Sequence, residues 1–131
     1  MSAIDRLVQA VGYPSDEISS DAGATVLTVD GRRIRVVDVR GRLVLSFSLG
    51  NPPDETLQQL ATYATGRMLR EEATLAWDSS AQELLLWQAV PAQATDELLV
   101  RVFEVFCASC DWWSERIAGL VETTAESVIR P

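Results

Sequence analysis

Residues 24–49, ATVLTVDGRRIRVVDVRGRLVLSFSL, decide the fold, because apolar and polar side chains alternate along most of this stretch. Alternation with a period of two is typical of β-strands that bury one face. Asp30-Gly31 is a strong signal for a two-residue hairpin turn. Arg40-Gly41 predicts a second turn, although arginine is a poor choice where φ is positive. The stretch therefore predicts three antiparallel strands in a meander.

The two turns can be checked against each other through the pairing that each imposes. The first turn pairs Leu27 with Ile34, and the second pairs Val36 with a leucine of the third strand, Leu45. Both pairings give one apolar face, made of Leu27, Val29, Ile34, Val36, Leu43, Leu45, Phe47 and Leu49. The opposite face then carries Val26, Thr28, Arg33, Arg35, Val37, Val44, Ser46 and Ser48. Because a slip of one residue would exchange the faces, this agreement supports both turns.

A short helix is predicted before the meander. It follows a suitable N-cap, Ser2, and ends at Gly12-Tyr13-Pro14. One helical face carries its apolar residues, Ile4, Leu7, Val8 and Val11. Residues 15–23 are polar and without periodicity, so we expect a loop there.

Two helices and two strands are predicted after the meander. Asn51-Pro52-Pro53 breaks the sheet, and a helix runs from Asp54 to about Leu69. Strands follow at Ala73–Asp78 and Glu83–Val90. A final helix starts at Thr95 or Asp96 and carries the apolar positions Leu98, Val102, Phe106, Cys110, Trp113, Ile117 and Leu120.

The predicted order is α-β-β-β-α-β-β-α, an α+β fold with a twisted antiparallel sheet packed on helices. A chain of 131 residues fits one domain of this kind. We assign residues 1–121 to that domain. The apolar pattern is lost from about Glu122, so residues 122–131 are expected to be a frayed or disordered tail.

Charge and two missing residue types exclude several function classes. The chain has 11 basic residues, all arginine, against 19 acidic ones, and its net charge of −8 is expected to repel nucleic acids. Without histidine or lysine, it lacks the commonest acid–base group and metal ligand, Schiff-base chemistry and the P-loop lysine. Neither a membrane span nor a secretion signal is apparent. A cytosolic protein is the expectation.

The remaining reactive groups have structural interpretations. Cys107 and Cys110 lie in the middle of a helical pattern, whereas redox pairs usually lie at a helix N-terminus. A zinc site would need two further histidine or cysteine ligands. Glu71-Glu72 and Asp96-Glu97 border helices, where acidic side chains complement the helix dipole. We therefore predict no catalytic residue, no metal and no cofactor.

The four tryptophans indicate contact with another protein. Trp112 and Trp113 point about 100° apart on a helix, so only one of them can lie on the core stripe. If that one is Trp113, Trp112 faces solvent or another chain. Trp77 and Trp87 lie in predicted strands. Such a surplus of apolar surface is typical of a protein interface.

This layout resembles the class I type III secretion chaperones, small acidic dimers that hold effector proteins in the bacterial cytosol before export. The resemblance covers residues 3–121 and is one of architecture. It rests on the first helix and its break, the acidic loop at Asp21-Ala22-Gly23, the strand that ends at Gly50-Asn51-Pro52-Pro53, the helix Thr56–Leu69, and two strands with a long final helix.

The resemblance implies which residues make contacts. It implies a homodimer in which the middle helix and a neighbouring strand meet their symmetry mates, through Leu57, Leu60, Ala61, Ala64, Met68 and Trp77. It also implies an extended effector segment that wraps around the dimer and contacts the first helix and exposed sheet surface. The matching positions are Ile4, Leu7, Val8, Val11, Val26, Val37 and Val44.

The implied function is that of a cytoplasmic bacterial chaperone. It would bind an extended N-terminal segment of a type III secretion effector and keep it soluble and export-competent. Its partners would be a second copy of itself, the effector and the secretion apparatus, with neither nucleic acid nor membrane insertion. Two alternatives stay open from the sequence: a dimeric adaptor of the same fold without a role in secretion, and a carboxylate- or thiol-dependent enzyme.

Overall fold

The structure, a computed structural model, describes residues 2–12, 18–21, 23–67 and 72–129. Within these residues, the side chains at positions 21, 66, 67 and 123–129 are not described. The elements are α1 (Ala3–Val11), β1 (Ile18–Asp21), β2 (Ala24–Val29), β3 (Arg32–Val39), β4 (Arg42–Ser48), α2 (Asp54–Arg67), β5 (Thr74–Asp78), β6 (Glu83–Pro91) and α3 (Asp96–Ile129).

The described strands form one antiparallel sheet in the order β1-β2-β3-β4-β6-β5. The predicted meander and its register are confirmed, with Leu27 opposite Ile34 and Val36 opposite Leu45. In both turns the two central residues have positive φ: 50° and 80° at Asp30-Gly31, and 53° and 80° at Arg40-Gly41. This pattern is that of type I′ turns, which match the twist of the strands. The predicted α+β class is therefore confirmed.

One strand was not predicted. Ile18–Asp21 forms β1 and pairs with β2, so the expectation of a loop over residues 15–23 is wrong for this part. Its sequence, Ile-Ser-Ser-Asp, has a single apolar residue and shows no alternation. Backbone hydrogen bonds to the edge of β2 hold the strand, and these leave no trace in the side-chain pattern. Residues 13–17 and 22 lie outside the described part of the chain.

The core lies between one face of the sheet and the helices. The strands contribute buried side chains to it, among them Leu27, Ile34, Val36, Leu43, Leu45, Leu84 and Leu86. The final helix contributes Leu99, Val102, Phe103, Phe106, Cys110 and Trp113. Full burial of such a side chain stabilises the fold by about 1.5–3 kcal/mol. Leu98 was predicted on this stripe but is 42% exposed, and the core position belongs to Leu99.

α1 is held on the helix-covered face of the sheet. Ser2 caps it in a reciprocal capping box with Asp5, and Gly12 ends it with a φ of 75°. The guanidinium of Arg6 donates to Asp96 at 2.8 Å and to the carbonyls of Ala92 and Ala94 at 3.1 and 2.6 Å. These bonds join α1 to the N-terminus of α3.

The two longer helices were predicted to extend to about Leu69 and to about Glu122. α2 is described as far as Arg67, and its predicted end, Leu69, lies outside the described residues. The backbone of α3 continues as a helix to Ile129, past the point near Glu122 where the apolar pattern ends. Among the described residues, no helix combines the length and apolar character that a membrane crossing requires.

Candidate binding surfaces

The face of the sheet opposite the helices contains a trough of about 540 Å³, which we call the open-face trough. β4 forms the floor of the trough, because its side chains there, Ser46 and Ser48, are small. The neighbouring strands β3 and β6 carry longer side chains, which form the sides. Register places Arg35 opposite Ser46 on one side and Leu85 opposite Ser48 on the other. The lining consists of Val26, Arg33, Arg35, Val37, Ser46, Ser48, Asp78, Ala81, Glu83 and Leu85.

Hydrogen bonds within its own turn hold Asp78, an acidic residue of the open-face trough, in its charged state. The Asp78 carboxylate accepts hydrogen bonds from the Ser80 hydroxyl at 2.7 Å and from the backbone N–H groups of Ser80 and Ala81 at 3.1 and 3.3 Å. These bonds, the Ser80 hydroxyl first, lower the pKa of Asp78 below its usual value, and the charge of Arg35 adds to the effect. Asp78 is therefore an anion at neutral pH.

A second surface lies at the edge of the sheet that β5 forms. α2 and the edge strand β5 border an apolar groove of about 200 Å³, which we call the α2–β5 groove. Its lining is Leu57, Leu60, Ala61, Ala64, Leu75, Ala76, Trp77 and Leu84. Trp77 is 43% exposed there. An edge strand beside an apolar groove is a surface that natural proteins usually cover.

The structure brings five of the six predicted dimer residues together in the α2–β5 groove. Met68 is the sixth and lies outside the described residues. Leu60 is only 2% exposed, so it belongs to the core as well as to the groove wall, and a charge there would damage the fold. Sequence reasoning missed Leu75, Ala76 and Leu84. The pairing of β5 with β6 would have found Leu75 and Leu84, because it places both on the face of the sheet that carries Trp77, whereas Ala76 lies on the opposite face of the strand.

The predicted effector-binding residues are divided between two faces of the sheet. Ile4, Val8 and Val11 are partly buried against the core on the helix-covered face, and Leu7 is 1% exposed. Val26 and Val37 line the open-face trough, while Val44 pairs with Val37 on that same face. Val26 is also 1% exposed. The structure thus offers two separate surfaces, and Leu7 and Val26 present almost no area to a partner.

The cysteines and the tryptophan pair of α3, and the acidic pairs beside the helices, make contacts within the fold. Cys107 is half-buried and Cys110 is buried, and neither is in a disulfide. Burial raises the pKa of Cys107 to about 11 and that of Cys110 to about 12, so both thiols are protonated at neutral pH. Trp113 is buried, and the half-buried Trp112 packs on it edge to face at 4.9 Å. Of the acidic pairs, Asp96 binds Arg6, and Glu72 accepts a hydrogen bond from the buried Gln88 at 3.1 Å.

Comparison with protein families shows to which family the chain with these surfaces belongs. The model of the Tir chaperone protein (CesT) family matches residues 2–114, which include all the described strands, α1, α2 and the first half of α3. The chain belongs to the Tir chaperone family. It is therefore a member of a chaperone family, in agreement with the expected kinship to type III secretion chaperones. No curated protein sequence matches it as a relative.

Solved structures share the fold of this Tir chaperone family member. A chain of the HopA1–SchA chaperone–effector complex matches with a TM-score of 0.67 at 19% identity, over 86% of this chain and 91% of that one. The ExsC–ExsE complex matches with a TM-score of 0.65 at 19% identity, with the same 86% and 91%. The Yersinia pestis type III secretion chaperone SycH, in complex with a fragment of YscM2, matches at 0.61 and 16% identity, over 82% and 92%.

Proposed function

We propose that this protein is a chaperone of the bacterial cytosol that binds an extended N-terminal segment of a type III secretion effector and keeps it soluble for export. The observation that carries the proposal is the family match over residues 2–114. Proteins with the same fold occur in complexes of chaperones with effectors. The function is binding, without a catalytic step and without a cofactor.

The position of the candidate contact regions on the sheet supports a partner that is extended. The two faces of the sheet carry separate contact regions, α1 on one and the open-face trough on the other, and a compact partner could not reach both at once. An extended segment of about ten residues spans roughly 33 Å and could pass from one region to the other. The hydrophobic part of such an interface supplies affinity, and polar groups around it supply register.

We further propose that two copies associate through the α2–β5 groove. Leu57, Ala61 and Ala64 come from α2, and Trp77 lies beside them on the edge strand. The small side chains at 61 and 64 allow a second helix to approach closely. A two-fold axis through this groove would place the same residues of both copies against each other.

Co-purification from the native bacterium, followed by limited proteolysis, tests the chaperone function. We expect one larger secreted protein whose protected region is a single segment near its N-terminus. Val37→Asp in the open-face trough should lose this partner, whereas Val105→Asp, on an exposed position of α3, should retain it. A partner protected as a whole folded domain would contradict the proposal and favour an adaptor.

A further inference from the structure

The open-face trough has charge of opposite sign on its two sides. Arg33 and Arg35 stand on β3, and Asp78 and Glu83 come from β5 and β6. Between them β4 offers the short side chains of Ser46 and Ser48. Because β3 and β6 are both neighbours of β4, their backbones are about 10 Å apart across the floor. The trough is therefore wide enough for one extended chain between the arginines of β3 and the opposite side, where Leu85 lies next to Ser48 and the acidic Glu83 and Asp78 lie beyond it.

The trough is less acidic than the rest of the protein, because its lining carries two arginines, Arg33 and Arg35, against two acidic residues, Asp78 and Glu83. Residues 32–42 contain five of the 11 arginines and a single acidic residue, Asp38, whereas the whole chain has a net charge of −8. Arg32 faces the helices and binds Asp111 there. Arg33 and Arg35 are exposed on the open face. Charges more than about 8 Å away are largely screened in physiological salt, so a bound segment that lies against β3 experiences Arg33 and Arg35 more strongly than the acidic residues elsewhere on the surface.

The spacing of the two arginines matches a particular ligand. Side chains two residues apart on a strand point to the same face and lie about 7 Å apart. The carboxylates of an extended segment with acidic residues at alternate positions have the same separation. Guanidinium groups bind carboxylates through two parallel hydrogen bonds, which makes this pairing specific as well as favourable.

We propose that the open-face trough binds an extended acidic segment in which Asp or Glu recurs at every second position, with carboxylates paired to Arg33 and Arg35. This proposal rests on the chaperone function and names the chemistry of the segment that the chaperone recognises. Asp78 and Glu83 repel carboxylates from the opposite wall and so fix which edge of the segment lies against β3.

Binding of three labelled peptides by fluorescence anisotropy tests the proposal. The first is Gly-Ser-Glu-Val-Glu-Val-Glu-Ser-Gly, the second has lysine in place of each glutamate, and the third has the composition of the first with its three glutamates adjacent. General attraction to a protein of charge −8 would favour the lysine peptide. We expect the opposite, with the alternating glutamate peptide bound at least about tenfold tighter than either other peptide.

Variants connect that preference to the trough. Arg33→Gln combined with Arg35→Gln should weaken binding of the alternating peptide by about tenfold or more, while Arg101→Gln on the exposed part of α3 should leave it unchanged. Glu83→Gln should strengthen it, because one repelling charge is removed. Thermal unfolding of each variant checks that these exposed substitutions leave the fold intact.

Several results would overturn the trough proposal. It is wrong if the lysine peptide binds as tightly as the alternating glutamate peptide, if the double arginine variant binds like the wild type, or if no peptide binds at about 1 mM. In those cases the chaperone function stands as long as the wild type still protects a segment of its native partner from protease. If the wild type protects no segment, the chaperone function itself is contradicted, whatever the peptides do.

Discussion

Arg32, the first residue of β3, and Asp111, in the middle of α3, form an ion pair through two hydrogen bonds. Arg32 Nε lies 2.6 Å from Asp111 Oδ1, and Nη2 lies 2.8 Å from Oδ2. The Arg32 side chain is 18% exposed and that of Asp111 is 49% exposed. Such parallel bonds fix the position of two groups more closely than a single contact does. This pair joins the start of the meander to the helix that covers it.

We expect Arg32→Gln to destabilise the fold by about 1–2 kcal/mol, because it leaves the Asp111 carboxylate without its charged partner. The partial exposure of Asp111 keeps the value below that of a fully buried pair. Urea unfolding of Arg32→Gln, Asp111→Asn and the double variant gives the coupling energy between the two residues. Effects that simply add would show that the pair contributes nothing. Arg101→Gln serves as the control for loss of a surface arginine.

The second hairpin turn contains a residue that is poorly suited to its backbone. Arg40 has a φ of 53°, in the left-handed region that asparagine and glycine adopt more readily. We therefore expect Arg40→Asn to stabilise the protein by about 0.5–1 kcal/mol in urea unfolding. Gly41→Ala is the matched opposite change: its φ of 80° is strained for alanine although nothing lies within 4 Å, so stability should fall by about 1 kcal/mol. A neutral Arg40→Asn would show that the turn tolerates arginine.

The meander was predictable because three separate signals agree in it. Alternation gave the strands, Asp30-Gly31 gave one turn, and a common apolar face required a second at Arg40-Gly41. β1 was not predictable, since Ile18–Asp21 depends on backbone bonds to β2 and has no apolar pattern of its own. Nor was the helical backbone of α3 beyond Glu122 predictable, because the apolar pattern that marks a helix in the sequence ends there.

The sequence predicted which residues lie on each candidate surface, but not how deeply each side chain is buried. Helical spacing selects the stripe that includes Leu60 and Ala61, and it does not say that the first is buried and the second exposed. Likewise, alternation places Val26 and Val37 on the open face without showing that Val26 is almost completely covered. The charged walls of the trough required the register of β5 against β6, because that register sets Asp78 opposite Glu83.

Alkaline pH should reveal the two buried thiols. Burial raises the pKa of Cys107 and Cys110 from an ordinary 9.0 to about 11 and about 12. The folded state therefore holds these protons more tightly than the unfolded state. Their stabilisation is fully present below about pH 9 and is lost as the pH rises through 11 and 12.

The chain suits this test because it has no lysine or histidine, so cysteine and tyrosine are its main titrating side chains between about pH 8 and 12. We expect the unfolding free energy of the wild type to fall as the pH rises above 9, by at most about 1.4 kcal/mol per pH unit for each thiol, since both thiols are partly screened by solvent. The Cys107→Ala/Cys110→Ala variant should show a distinctly smaller slope, whatever its absolute stability. Equal slopes in the two proteins would contradict the assignment.

A charge in the α2–β5 groove should separate the two copies of the proposed dimer. Ala61 is exposed and lines the groove beside Trp77, so Ala61→Arg places a guanidinium in each half of an apolar interface. Burying such a charge without a partner is unfavourable, and we expect the dissociation constant of the dimer to rise by about 100-fold or more.

Thr62→Arg adds the same charge one position along α2, on its opposite face, and should leave the dimer intact. Sedimentation velocity over a range of concentrations measures both, and unfolding experiments confirm that each variant is folded. A wild type that is monomeric, or a Thr62→Arg variant that dissociates as readily as Ala61→Arg, would show that the two copies do not meet through this groove.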